Sequence, residues 1–106
     1  MNIKKIGAIS AVLLTIGTSA MASAQKIGQH GDFYSGKKSE NGSKYVYAEY
    51  LDTQYAYYSA TAINGKGAKD KDIETDNKTW AYASKTWTSK GTNRGYYNFS
   101  NEEITW

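Results

Sequence analysis

The sequence predicts an all-β domain, and three observations support this fold class. Residues 44–67, KYVYAEYLDTQYAYYSATAINGKG, hold six of the ten tyrosines, and Tyr, Val, Thr and Ile are residue types that fit a pleated strand. Larger and smaller side chains alternate there, and successive side chains of a strand point to opposite faces. Gly, Asp and Asn punctuate the stretch and supply turns.

The stretch 44–67 predicts two short strands with a turn near Asp52-Thr53. In the first strand Tyr45 and Tyr47 alternate with small or branched residues, and the second strand repeats the alternation. Helical spacing competes with this interpretation at Tyr47, Tyr50, Leu51, Tyr55 and Tyr58. The density of tyrosine and threonine favours strands.

The polar segments on either side predict less structure. Residues 25–43 predict one short strand near 31–34, with His30, the single histidine, as a turn or surface residue. Residues 64–78 predict an exposed loop that opens at an Asn-Gly turn signal. Its alternating acids suggest a calcium site, but Thr75 and Ala81 stand where the EF-hand pattern needs Gly and Glu. Interleaved lysines neutralise much of the charge, so we expect no metal.

Two further strands are predicted towards the C-terminus. In residues 79–87, TWAYASKTW, a strand places Trp80 and Tyr82 on one face and the alanines with Trp87 on the other. A helix, in which the two tryptophans share a stripe, is the alternative, but aromatic residues and threonines favour a strand. A turn at 89–94 precedes the last strand, at 95–99.

Residues 1–24 predict a cleaved secretory signal peptide. Lys4 and Lys5 provide a positive start, residues 6–16 are an apolar run, and residues 22–24 form an Ala-x-Ala cleavage pattern. The run is shorter than the roughly 20 apolar residues that span a bilayer. An N-terminal core helix is the alternative interpretation of this run.

Cleavage between Ala24 and Gln25 would leave residues 25–106 as one small secreted domain. A second cleavage site lies two residues earlier, after Ala22. Removing 24 of the 106 residues leaves 82 and takes two lysines away, so the net charge falls from +3 to about +1. Nucleic-acid binding therefore loses support, since Arg94 is also the single arginine.

The core of this domain is predicted to consist of rings and alanines. Residues 25–106 have only eight Leu, Ile, Val and Phe residues, no cysteine and no proline, whereas all fifteen aromatic residues lie in this part. We expect Trp80, Tyr97 and Phe99 in the core. The composition also argues against an enzyme, because it offers no cysteine nucleophile, no second histidine and no phosphate-loop pattern. No cofactor is expected.

Four short motifs occur in order: Gln29-His30-Gly31, a tyrosine-rich strand that leads into Ser59-Ala60-Thr61-Ala62, then Trp80-Ala81-Tyr82-Ala83 and Tyr96-Tyr97-Asn98-Phe99. Together with the signal peptide, they resemble the lactococcin 972 family of bacteriocins over nearly all of residues 25–106. The resemblance implies a small β-sandwich of two short antiparallel sheets, secreted without modification. It also implies action at the envelope of related Gram-positive bacteria, with the cell-wall precursor lipid II as target.

The chain departs from the family at positions where histidines are common. Leu51, Asp52 and Tyr58 stand there, and Ile27 replaces the aromatic residue that often opens the mature chain. If those histidines bind the target, the implied activity changes; if they only pack, tyrosine can replace them.

Tyrosine and tryptophan are what this chain has in excess, and such rings bind sugars and interfaces at low entropic cost. Eight form the candidate ligand-binding set: Tyr45, Tyr47, Tyr50, Tyr57, Tyr58, Trp80, Tyr96 and Tyr97. A secreted glycan- or surface-binding module without killing activity uses the same rings and is the alternative function. A self-associating surface protein is a third, because strands without proline leave edges available for a homodimer.

Overall fold

The structure, a computed structural model, describes residues 12–16, of which it gives the backbone, and residues 25–104. These residues form eight strands and no helix. The strands are β1 Val12–Ile16, β2 Gln25–Ile27, β3 Gly31–Glu40, β4 Ser43–Asp52, β5 Tyr57–Ile63, β6 Lys69–Glu74, β7 Ala81–Thr86 and β8 Asn93–Ser100. The described ranges thus contain no helix that could cross a membrane.

The strands form two four-stranded antiparallel sheets that pack face to face. The first sheet has the order β1-β8-β5-β6 and the second has the order β2-β3-β4-β7. We call them the β5 sheet and the β4 sheet. The predicted fold class, a small all-β sandwich of two antiparallel sheets, is confirmed.

Strand β1 is the part of the predicted signal segment, residues 1–24, that the structure describes. The backbone of β1 pairs with β8 from Val12 opposite Tyr97 to Ile16 opposite Asn93. The predicted cleavage bond lies at the limit of the described ranges, because Ala24 falls outside them and Gln25 begins β2. Removal of residues 1–24 would make β8 an edge strand of the β5 sheet.

A long hairpin of β3 and β4 forms the middle of the β4 sheet. Its turn is Asn41-Gly42, whose φ angles of 52° and 82° lie in the left-handed region that a tight Asn-Gly hairpin turn requires. The pairing extends from Gly31 opposite Asp52 to Glu40 opposite Ser43. The strand predicted at 31–34 is therefore the beginning of a ten-residue strand.

The two strands predicted in the tyrosine-rich stretch are present as β4 and β5, but they belong to opposite sheets. β5 pairs with β6 on one side and with β8 on the other. Residues 53–56 therefore carry the chain from one layer of the sandwich to the other.

The core consists of rings and alanines, as predicted. Phe33, Tyr50, Tyr58 and Tyr97 are buried between the sheets, and the rings of Tyr50 and Tyr97 stack with their centroids 5.0 Å apart. Small inward residues separate these rings, at Ala48, Ala60, Ala62, Ala81 and Ala83. The alanines allow the two sheets to close around large aromatic side chains.

Trp80 corrects the predicted core. It precedes β7 and is 36% exposed, because Ala81 and Ala83 occupy the inward positions of that strand. Tyr97 is buried as expected, and Phe99 is partly buried against the core cluster. The predicted strand at 79–87 is correct in type and in the faces to which its side chains point.

The loop predicted at 64–78 is wrong in its middle, where β6 forms. Asp72 Oδ2 accepts a hydrogen bond from the Tyr82 backbone N–H at 3.0 Å, and Asp70 Oδ2 accepts one from Ser84 N–H at 3.0 Å. These N–H groups lie on β7, the edge strand of the β4 sheet. The alternating aspartates therefore satisfy a sheet edge, and no group of His, Asp or Glu in the described ranges is placed to hold a metal.

The turn at residues 76–79 is expected to lose stability in acid, because it is held by the carboxylate of Asp76. Its carboxylate accepts hydrogen bonds from the Thr79 hydroxyl at 2.6 Å and from the backbone N–H groups of Thr79 and Lys78 at 2.7 and 2.9 Å. These bonds hold the pKa of Asp76 well below its usual range. A depressed pKa contributes stability above the unfolded-state pKa of about 3.9, and this contribution is lost as the pH falls.

We expect the urea midpoint of unfolding to decrease as the pH is lowered from 5 to about 2. In Asp76→Asn this decrease should be smaller, because the variant has no carboxylate to protonate at this position. Circular dichroism at each pH measures the midpoint, with Glu40→Gln as the control that removes another surface carboxylate. An equal reduction in both variants would contradict the assignment.

Candidate functional site

The outer face of the β4 sheet carries a cluster of partly exposed rings. We call this cluster the ring face; its members are Tyr34 on β3, Tyr45 and Tyr47 on β4, Tyr82 on β7 and Trp80 beside it. The strand pairing places these rings on one side of the sheet. Tyr82 lies opposite Glu49, and Tyr45 lies opposite Lys38, on the same outer side. Tyr34, Trp80 and Tyr82 are 36–38% exposed, which makes them the exposed large hydrophobic residues of the described ranges.

The rings of this face are arranged in two pairs. Tyr34 and Trp80 meet edge to face, with their centroids 5.8 Å apart. Tyr47 and Tyr82 stack at 6.3 Å with an interplanar angle of 25°. Such pairs fix ring orientations, so the face meets a ligand with little loss of side-chain freedom.

Lys38 supplies a cation beside Tyr45 and Tyr82 of the ring face. Its Nζ donates a hydrogen bond to the Tyr82 hydroxyl and lies 4.7 Å from the Tyr82 ring centroid and 5.7 Å from that of Tyr45. Partial burial alone would lower the pKa of Lys38, but the hydrogen bond to Tyr82 and the nearby Glu40 outweigh it and raise the pKa. Lys38 is therefore positively charged at neutral pH, over two aromatic faces.

The eight candidate rings fall into three groups. Tyr45, Tyr47 and Trp80 belong to the ring face. Tyr57 and Tyr96 lie on the outer face of the opposite sheet, where the register aligns them with Ser100 and Thr61. Three candidates require correction, because burial between the sheets removes them from any surface ligand: Tyr50, Tyr58 and Tyr97.

Sequence reasoning missed Tyr34, Tyr82 and Lys38 as site residues. Tyr82 had a usable signal, because it shares a strand face with Trp80. Tyr34 and Lys38 join the site only through the pairing of β3 with β4, where they lie opposite Glu49 and Tyr45. That pairing depends on the hairpin turn at residues 41–42.

The single histidine lies in the turn at residues 28–30, as predicted; it is partly buried and belongs to a polar cluster around Asp52 rather than to the ring face. His30 Nδ1 lies 2.7 Å from Asp52 Oδ2, which also accepts the Tyr50 hydroxyl at 2.6 Å. Asp52 Oδ1 accepts the backbone N–H groups of Gln54 and Tyr55 at 2.9 and 2.8 Å. Burial and the bond to Asp52 raise the pKa of Tyr50. Each oxygen of Asp52 thus holds part of the fold in place.

No family model, no curated protein and no solved structure matches this chain.

Proposed function

We propose that residues 25–106 act outside the cell as a non-catalytic binding protein, a bacteriocin of the lactococcin 972 type. In this proposal, the protein acts at the envelope of related Gram-positive bacteria and binds the cell-wall precursor lipid II. The ring face is the observation that carries the binding part of the proposal. The resemblance of the four ordered motifs supports the choice of bacteriocin and of target.

The chemistry of the ring face suits a glycan-bearing envelope molecule. Trp80, Tyr34 and Tyr82 combine an apolar ring with a polar tip, and each is more than a third exposed. Such rings stack on the apolar faces of sugars and are stable at a membrane interface. Lys38 adds a positive charge beside Tyr82, which attracts the anionic group of an envelope lipid.

The first experiment tests killing and target together. Purified protein, prepared both as residues 25–106 and as the full chain, is added to a panel of related Gram-positive bacteria, with and without lipid II. We expect growth inhibition that added lipid II relieves. Inhibition that lipid II does not change would reject lipid II as the target. A folded sample that inhibits no strain but binds isolated cell walls would replace the bacteriocin with the surface-binding module.

The ring face itself is tested by Tyr34→Ser combined with Tyr82→Ser. Because truncation of a central aromatic residue of a binding surface costs about 2 kcal/mol, we expect the inhibitory concentration to rise by roughly 30-fold if one of the two rings is central and by several hundred-fold if both are, on the order of 2 to 4 kcal/mol. Circular dichroism should show an unchanged fold, because both side chains lie on an outer face. The matched control is Tyr57→Ser, on the outer face of the other sheet, for which we expect a change of less than about threefold. Equal losses in the two proteins would refute the ring face as the binding surface.

A further inference from the structure

A carboxylate lies among the rings of the ring face. Glu49 on β4 is opposite Tyr34 on β3 and opposite Tyr82 on β7. Tyr47 comes two residues before Glu49 on the same strand, so the alternation of the strand places both on the outer side. Trp80 precedes β7, and its ring lies 5.8 Å from that of Tyr34. Rings therefore border Glu49 on both neighbouring strands and along its own strand.

Glu49 differs from two other carboxylates of this outer face in having no cation beside it. Asp32 lies 2.6 Å from Lys26, and Glu40 lies 3.5 Å from Lys38. Within the ranges that the structure describes, no lysine, arginine or histidine forms an ion pair with Glu49. Its negative charge thus has no counter-ion in this part of the chain.

The charge of Glu49 acts on a neighbouring ring. Burial raises the pKa of the Tyr47 hydroxyl, and the negative charge of Glu49 raises it further. Glu49 and Tyr47 are both only partly exposed. Water and salt therefore screen the charge of Glu49 less than they would screen a fully exposed carboxylate.

A carboxylate with aromatic rings around it suits a cation. The negative face of each ring attracts a cation that lies within about 6 Å of the ring centroid, and ammonium ions with alkyl groups are ligands of this kind. The alkyl groups also bury apolar surface against the rings. Glu49 adds a full negative charge to this attraction. A neutral ligand can use the rings, but it leaves that charge without a counter-ion.

From these observations we infer that the ring face takes an alkylammonium group, with Glu49 as its counter-ion and the surrounding rings as the walls of the site. This site rests on the proposed function, because it lies within the same binding surface, and it names a group of the molecule that the surface binds. Lys38 lies beside Tyr45, four residues before Glu49 on β4. A ligand with both an ammonium and an anionic group would therefore complement both charges of the face. A primary and a quaternary ammonium share this chemistry.

The test is a titration of the ¹⁵N-labelled full chain, followed by NMR at constant ionic strength. The probes are choline, n-butylammonium and, as the neutral control, 3,3-dimethylbutan-1-ol, which has the shape of choline with a carbon in place of the nitrogen. We expect saturable shifts of the amides of β3, β4 and β7 with both cations, at a Kd on the order of 10 mM, and at least about tenfold weaker binding of the alcohol. Tighter binding of choline identifies a quaternary ammonium as the ligand class, and tighter binding of butylammonium identifies a primary one.

Glu49→Gln should weaken choline binding by about fivefold or more, because it removes the charge and keeps the shape of the side chain. The matched control is Glu102→Gln, which removes the same charge from an exposed residue beyond β8 and should change the Kd by less than about twofold. The amide spectrum of each variant reports whether its fold is unchanged. Equal losses in the two variants, equal binding of choline and the alcohol, or no saturable shift with choline up to about 100 mM would overturn the site.

Binding of these probes and killing of bacteria are separate readouts. Choline binding that requires Glu49, in a protein that inhibits no strain, would uphold the ammonium site and reject the bacteriocin. Growth inhibition by a protein that binds neither choline nor butylammonium would uphold the bacteriocin and reject the ammonium site.

Discussion

Replacing Asp52 by alanine is expected to destabilise the domain by about 3–5 kcal/mol, because it removes the common acceptor of a buried hydrogen-bond network. Asp52 is fully buried and accepts four hydrogen bonds, from Tyr50, His30 and two backbone N–H groups. The substitution leaves the Tyr50 hydroxyl buried without this acceptor, and an unsatisfied buried donor is costly. Since small domains are stable by about 5–15 kcal/mol, this loss removes a large part of the total.

Urea denaturation followed by circular dichroism measures the effect of Asp52→Ala. Asp32→Ala is the matched control, because Asp32 pairs with Lys26 at 2.6 Å on the surface, where an ion pair contributes less than about 1 kcal/mol. Asp52→Asn keeps one oxygen acceptor and the side-chain shape, so its loss should fall between the other two. A loss below about 1 kcal/mol for Asp52→Ala would show that the cluster does not hold the fold together.

The consequences of Asp52 extend beyond its own contacts. Asn77 Nδ2 donates to the backbone oxygens of Asp52 and Tyr55 at 2.7 and 2.8 Å, and the rings of Tyr55 and Phe99 pack against His30. The crossing between the sheets at 53–56 is thus held from several sides. In this protein, the position where the resemblance suggests a histidine carries the central acceptor of that crossing.

Faces and strand types could be predicted where alternation is strong. The alternation of a strand alone predicts that Tyr45 and Tyr47 share one side of β4. It also predicts that Trp80, which precedes β7, points to the same side as Tyr82. The sequence does not show which of the two sides faces the core, because tyrosine is found both in cores and at surfaces. The inward alanines of β7 decided it for Trp80, and their burial depends on the opposite sheet.

The elements that sequence reasoning missed are polar and depend on partners distant in the chain. β6 has no apolar run, and it is a strand because β5 pairs with it and because its aspartates bond to β7. The second half of β3 is also polar, although Asn41-Gly42 was a usable hairpin signal. The ring face depends on the pairing of β3 with β4 along the whole strand, so it could not be assembled from the sequence alone.

The second large effect is expected at Gly95, where the backbone of one sheet lies directly against the Ser35 side chain of the other. A Cβ added at Gly95 would lie 2.0 Å from Ser35 Oγ and 2.8 Å from Ser35 Cβ. Ser35 is buried and donates a hydrogen bond to the Tyr47 backbone oxygen at 2.7 Å, so it cannot move away without losing that bond. We expect Gly95→Ala to destabilise the domain by about 2–4 kcal/mol, from overpacking together with the lost hydrogen bond.

A compensating substitution distinguishes this steric mechanism from a general intolerance of β8. Ser35→Gly removes the atoms that the new methyl group would meet, so Ser35→Gly with Gly95→Ala should recover at least about 1 kcal/mol of the loss expected from adding the two single effects. Urea denaturation of the two single variants and the double variant completes the cycle. The control is Ser39→Ala, at an exposed position of the β3–β4 hairpin, which should be nearly neutral. Gly42→Ala would not serve, because a φ of 82° strains any residue with a side chain. If the two effects simply add, contact between the sheets is not the cause; if they compensate, the close approach of Gly95 to Ser35 sets the separation of the layers.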